Sequence, residues 1–228
     1  MEFWITLLIM LPVLALLGVG SVVFQMVHRL SRPGAGIRPV AREDCPEDFA
    51  RASELEAWAS SRGFVFSGAF RFDVATSLFV AAWQRPGRSE YLLEYQSPHL
   101  THYDFVSLFA DEHALTTAST KDSLFLPQPI GLFVQCFPGV ELDGLLKRHE
   151  DAKVYLCREY QLTESFQEAP IHELVNRAIA RQMQYVRSIP FWPLRSPWWY
   201  FVNRETLKGR PVDVLYPPNT DQDVSKAA

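Results

Sequence analysis

The chain reads as an α+β protein, with a single N-terminal transmembrane helix followed by a soluble domain whose mainly antiparallel sheet of five to seven strands is packed by two or three helices. Three observations predict this. The run Phe3 to Val27, FWITLLIMLPVLALLGVGSVVFQMV, carries no formally charged side chain. Strand-like segments crowd the middle of the sequence. Helical periods lie towards its two ends, whereas a parallel α/β sheet would alternate helix and strand along the chain.

The anchor comes first, over residues 1–28. At about 1.5 Å rise per residue its apolar run reaches roughly 37 Å, enough to cross a hydrocarbon layer about 30 Å thick with some tilt. A helix is required, because backbone amides in lipid find no water and a lone segment cannot close a barrel. Pro12 is placed to bend it. A cleaved signal peptide fits less well: Glu2 stands where a positive charge belongs, the run exceeds the usual ~7 to 15 residues, and no clear A-x-A site follows. A lipoprotein fits worse, since the nearest cysteine is Cys45. Ala15, Gly18 and Ser21 recur at three and would admit a partner helix, although ordinary membrane-helix composition is the preferred account.

After the anchor, His28, Arg29, Arg32, Arg38 and Arg42 precede the next acid, Glu43. Basic residues stay cytoplasmic, so the expected arrangement is N-out and C-in in a cell membrane, with the soluble domain in the cytoplasm. Residues 29–43 contain Pro33, Gly34, Gly36 and Pro39 without hydrophobic period, which reads as a basic flexible stem whose arginines rest on anionic lipid.

The soluble α+β domain is expected over residues 44–188. Its first helix starts near Cys45, with Asp44 as N-cap, Pro46 in the first turn and Gly63 beyond the end. Phe49, Ala52, Leu55, Trp58 and Ala59 make its apolar face. Phe64, Phe66, Phe70 and Phe72 then share one strand parity, and LFVAAW (78–83) is apolar on both. Arg85-Pro86-Gly87-Arg88 marks a hairpin, after which Tyr91, Leu93 and Tyr95 alternate. Tyr103 to Phe109 and Leu115 to Ala118 read as a second hairpin around Asp111-Glu112-His113. Ile130 to Phe137 is a buried strand framed by prolines. Leu142, Leu145, Leu146 and His149 share a helical face, Lys153 to Tyr160 reads as a last strand, and the longest helix runs from about Ser165 or Pro170 to Ser188.

Residues 189–216 change character. The stretch FWPLRSPWWYFVNRE holds three of the six tryptophans, Trp192, Trp198 and Trp199, and its prolines argue against a regular helix. Such aromatics suit either a membrane interface or a cover over the domain. Residues 217–228 read as a disordered tail.

Composition excludes some classes. Setting Glu2 aside, 22 basic side chains meet 25 acidic ones, and a near-neutral balance gives nucleic acid no general electrostatic foothold. Cys45, Cys136 and Cys157 are widely spaced and read as free thiols. No nucleophile elbow, P-loop or dinucleotide fingerprint occurs. His172-Glu173 begins a zinc-protease pattern, but Asn176 stands where the second histidine would be. The densest set of potential metal ligands is His99, His102, Asp104, Asp111, Glu112 and His113, with the three histidines as the candidate ligands. H-x-x-H without a fixed third ligand is common, and neither a metal nor a cofactor is expected.

The function expected is therefore that of a membrane-tethered interaction or scaffolding domain rather than an enzyme. Its partners would be the lipid bilayer, with Arg29, Arg32, Arg38, Arg42, Trp192, Trp198 and Trp199 at the interface, and a protein partner or a second copy through the membrane helix. The alternative is a membrane-associated enzyme, or a small-ligand or lipid sensor, using the 99–113 loops or an apolar cavity on the sheet.

Overall fold

The computed structural model describes residues 2–32, 35–45, 53–73, 77–97, 100–165 and 169–218. Helix α1 (Glu2–Leu30) leads into one sheet, which among these residues has seven strands. They are β1 (Ile37–Val40), β2 (Val65–Asp73), β3 (Ser77–Gln84), β4 (Glu90–Ser97), β5 (Leu100–Leu108), β6 (Ala114–Ala118) and β7 (Leu132–Cys136), lying side by side in chain order. Each neighbouring pair is antiparallel except β6 and β7. A parallel pair needs a crossover of about a dozen residues. Here the segment 119–131 supplies it, through a 3-10 turn at Lys121–Leu124 that Thr120 caps by accepting from the Asp122 amide.

Helices cover both faces. On one lie α2 (Ser53–Ser61) and α3 (Leu142–Glu159), enclosing Leu55, Phe64, Trp83, Leu92, Phe105 and Leu145. On the other lies α4 (Ile171–Ser188), whose Ile171 packs with Phe70, Val80, Tyr91 and Leu93. Double coverage explains why LFVAAW is apolar on both parities: Ala81 and Trp83 face α2 and α3, whereas Val80 and Ala82 face α4. The four phenylalanines of one parity do not share a face. A bulge between Phe66 and Gly68 shifts the register, leaving Phe64 and Phe66 beside α3 and turning Phe70 and Phe72 towards α4.

Three expectations are corrected. Lys153 to Tyr160 is not a strand but the second half of α3, because Leu145, His149, Ala152 and Leu156 form one unbroken buried helical stripe. The segment taken as a flexible stem contains β1, whose Ile37 amide donates to Asn176 Oδ1 at 2.8 Å while Asn176 Nδ2 donates back to the Ile37 carbonyl at 3.0 Å. That side chain satisfies both backbone groups of Ile37 on the β1 edge of the sheet. The proline-rich segment is helical: α5 (Trp192–Trp198) holds Pro193 in its first turn, where no amide donor is needed, and the wider π turn Trp199–Asn203 follows Pro197. Helices α6 (Arg204–Leu207) and α7 (Val212–Leu215) complete the fold. The expected first helix of the domain lies partly outside the described residues, as do residues 219–228 of the tail.

Helix α1 has two environments. Val23, Val27 and Leu30, spaced at four and three, are buried against Leu126, Met183, Val186, Ile189 and Trp199. Met10, Leu11, Leu14, Leu16 and Leu17 are exposed. Among the described residues no helix is long and apolar enough to cross a membrane. The side chains of residues 2–9, 12 and 13 lie outside them.

Candidate functional site: an apolar ridge beside the first helix

Helix α5 and its π turn pack along α1. Gly20 lies at their contact, where a Cβ would meet the Pro193 carbonyl oxygen at 3.5 Å and the Pro197 ring at 3.8 Å, ordinary van der Waals distances. Four residues on, Phe24 stacks on Trp192 with centroids 5.6 Å apart and planes 8° apart. Trp199 points inwards and is only 3% exposed, whereas Trp198 is 60% exposed and Trp192 is half-buried. The three tryptophans therefore divide between core and surface.

What α5 leaves outside is apolar. Phe191 is 75% exposed and Leu194 78%, with Trp198 and Phe201 beside them. An open pocket of about 560 Å3 joins this ridge to α1, walled by Leu16, Leu17, Phe24, Pro197, Trp198 and Phe201. Contiguous apolar surface of this kind marks contact with lipid or protein.

The basic residues lie on the carboxyl side of the exposed half of α1. Arg29, Arg32 and Arg38 are exposed, and the Arg42 side chain is outside the described residues. Arg32 joins Arg177 and Arg187 around a groove of about 760 Å3 between the end of α1 and α4, and no acid lines it.

Among the described residues the candidate histidines do not assemble. His99 lies outside the described residues. His102, near the start of β5, stacks on Tyr95 with centroids 4.6 Å apart and planes 6° apart. His113 lies beyond the other end of that strand, about 20 Å away at strand spacing, and its Nδ1 donates to the Ala110 carbonyl at 3.1 Å. Among the described residues no three His, Cys, Asp or Glu side chains could hold a metal together.

Sequence reasoning missed a polar layer beneath α3. His149 Nε2 lies 2.8 Å from Ser107 Oγ and Nδ1 lies 2.9 Å from Thr117 Oγ1, which also accepts from Gln135 Nε2 at 2.9 Å. Burial holds the imidazole pKa down at about 3, helped by the nearby Lys153 and Arg85 charges. A serine beside an imidazole suggests a nucleophile. Yet His149 and Thr117 are 0% exposed and Ser107 2%, so no substrate reaches them and the cluster orients the neutral ring. Next to it Glu90, 1% exposed, takes Arg85 at 2.8 Å and Lys153 at 3.1 Å. The available signal was His149 sharing a helical face with leucines; its two hydrogen-bond partners come from β5 and β6.

No family model matches the chain, and neither a curated protein nor a solved structure matches it.

Proposed function

We propose that this chain is a single-pass membrane protein whose α+β domain is seated on the cytoplasmic surface of the bilayer as an interaction domain. The observation that carries the reading is the division of α1: its end is buried in the domain, while its earlier described side chains are apolar and exposed. From Phe3 to Gly20 the helix rises about 27 Å, close to the thickness of a hydrocarbon layer. The Gly20 level is where α5 meets α1, so the ridge of Phe191, Leu194, Trp198 and Phe201 falls at the interface, where amphipathic rings and apolar side chains are both accommodated. The arginines after residue 28 favour the cytoplasmic side. With helices over both faces of the sheet, the domain's exposed surface is what meets a protein partner.

Alkaline carbonate washing tests the anchor. The full chain is expected to stay in the membrane pellet, and a chain beginning at residue 21 to lose most of that retention; release of the full chain would overturn the reading. A reporter fused after Ala228 is expected to be active in the cytoplasm, and activity only on the far side would reverse the orientation.

A further inference from the structure

The face of the sheet under α4 is not fully packed. A chamber of about 210 Å3 lies between them, with Leu93, Val106 and Val134 on the sheet side and Leu174, Val175 and Ile179 on the helix side. It opens towards a vestibule of about 370 Å3, with which it shares Leu108, Ala114, Leu132, Leu174 and Ala178. In the chamber wall stands Asp104, only 7% exposed. The Tyr95 hydroxyl donates to its carboxylate, while Oδ1 is buried without a hydrogen-bond partner.

Buried polar atoms are nearly always partnered, and leaving one unpaired costs on the order of 1 to 3 kcal/mol. Among the described residues no lysine, arginine or histidine lines the chamber, so these supply Asp104 with no cation there. The geometry points to a binding site for a small primary amine with an apolar body, its ammonium group donating to the Asp104 carboxylate in the chamber wall and its body held between the sheet and α4. A carboxylate ligand would meet an acid and no base at this end. An alcohol would offer one donor without the charge. The chamber is smaller than pockets that take drug-sized molecules, about 300 to 1,000 Å3, so the occupant is small or extends into the vestibule. There Arg181 is already held, donating to the Glu112 and Ile130 carbonyls at 2.7 and 2.6 Å.

Burial raises the Asp104 pKa to about 7. An ammonium partner favours the carboxylate, so amine binding should tighten as pH rises through this value. The groups around Asp104 are Tyr95 from β4, His102 from β5 and Cys136 from β7, with Asp122 of the crossover acting on the last two. Helix α4 presents uncharged Gln182 to the chamber. This inference stands apart from the membrane reading, because neither α1 nor α5 lines the chamber.

Calorimetry on the full chain in lipid nanodiscs, with empty nanodiscs subtracted, tests it using phenethylamine, 2-phenylethanol and 3-phenylpropionate at pH 6 and pH 8. Saturable binding of phenethylamine is expected, about tenfold or more tighter than the alcohol, with no binding of the carboxylate and a gain in amine affinity at pH 8. Asp104→Asn should lower amine affinity by about tenfold or more and leave the alcohol nearly unchanged. The ranking on the unaltered chain keeps the test decisive should that variant misfold. No saturable amine binding, a preference for the carboxylate, or an Asp104→Asn protein that folds and binds the amine equally well would overturn the assignment.

Discussion

Two buried side chains give this protein opposing responses to pH. Asp104 has a folded pKa near 7 against an ordinary value of 3.8, raised chiefly by burial. Its native form therefore holds the proton more tightly than the unfolded chain, and the stability it contributes at low pH is lost as pH rises from about 4 to about 7. His149 runs the other way, from 6.5 down to about 3, again chiefly through burial. Its contribution is present above pH 6.5 and is lost as pH falls towards 3. Each spans roughly 3 to 5 kcal/mol at 1.36 kcal/mol per pH unit. The two slopes nearly cancel between pH 4 and 6.5. Asp104→Asn removes one of them, so urea unfolding of the variant should show stability dropping on acidification from 6.5 to 4 by at least about 2 kcal/mol more than in the parent. Equal slopes in the two proteins would refute the assignment of Asp104 as a buried, proton-holding group. Neither residue could be singled out from the sequence. His149 was visible on an apolar helical face and Asp104 beside a cluster of histidines, but their burial depends on α3 and α4 closing over a sheet formed by distant segments.

At the scale of elements, local signals located the hairpins, the buried strands and α4, because each rests on a turn or a period within a dozen residues. The same signals failed where the outcome depended on a partner. The parity of the four phenylalanines was read correctly as strand, yet the bulge before Gly68 divides them between two faces. Residues 37–40 have no hydrophobic alternation to mark a strand; they form one by pairing with β2, while Asn176, far along the chain, holds Ile37 at the edge. This contact gives a prediction. Asn176→Ala removes two hydrogen bonds and should cost about 1 to 2 kcal/mol. Gly36 has φ +130°, and a Cβ on it would stand 2.1 Å from Asn176 Oδ1. Gly36→Ala should therefore be the more damaging change, and measurably less so when combined with Asn176→Ala, since the double variant lifts the clash and keeps only the backbone strain. Urea midpoints of the four proteins test this, and strictly additive effects would contradict it. Hydrogen exchange should also quicken at the Ile37 amide in Asn176→Ala.

For the whole molecule, the consequence of docking the end of α1 into the domain is directional. On the proposed reading, a domain on a loose stem would sample many heights above a membrane, whereas one sharing a core with its anchor would keep a fixed height and a fixed face. Val23, Val27 and Leu30 pack the end of α1 into the domain, and α5 adds exposed rings beside it. Replacing both Leu194 and Trp198 with serine should leave the chain anchored yet weaken its resistance to extraction, because the ridge adds apolar contact beyond the single helix. The reading of an anchor came from composition alone. The packing of α5 on α1 could not be read so, since the prolines of 190–197 argued against the helix that forms there.

The most direct measurement uses nitroxide labels on single cysteines placed at Leu11, Leu194 and Val154, with Cys45, Cys136 and Cys157 replaced by alanine, in the full chain reconstituted in lipid nanodiscs. Collisions with oxygen, which concentrates in lipid, are compared with collisions with a water-soluble nickel chelate. The account predicts oxygen-dominated relaxation at Leu11 and Leu194 and nickel-dominated relaxation at Val154, which is 63% exposed on the outer side of α3. Nickel-dominated relaxation at Leu11 would contradict it.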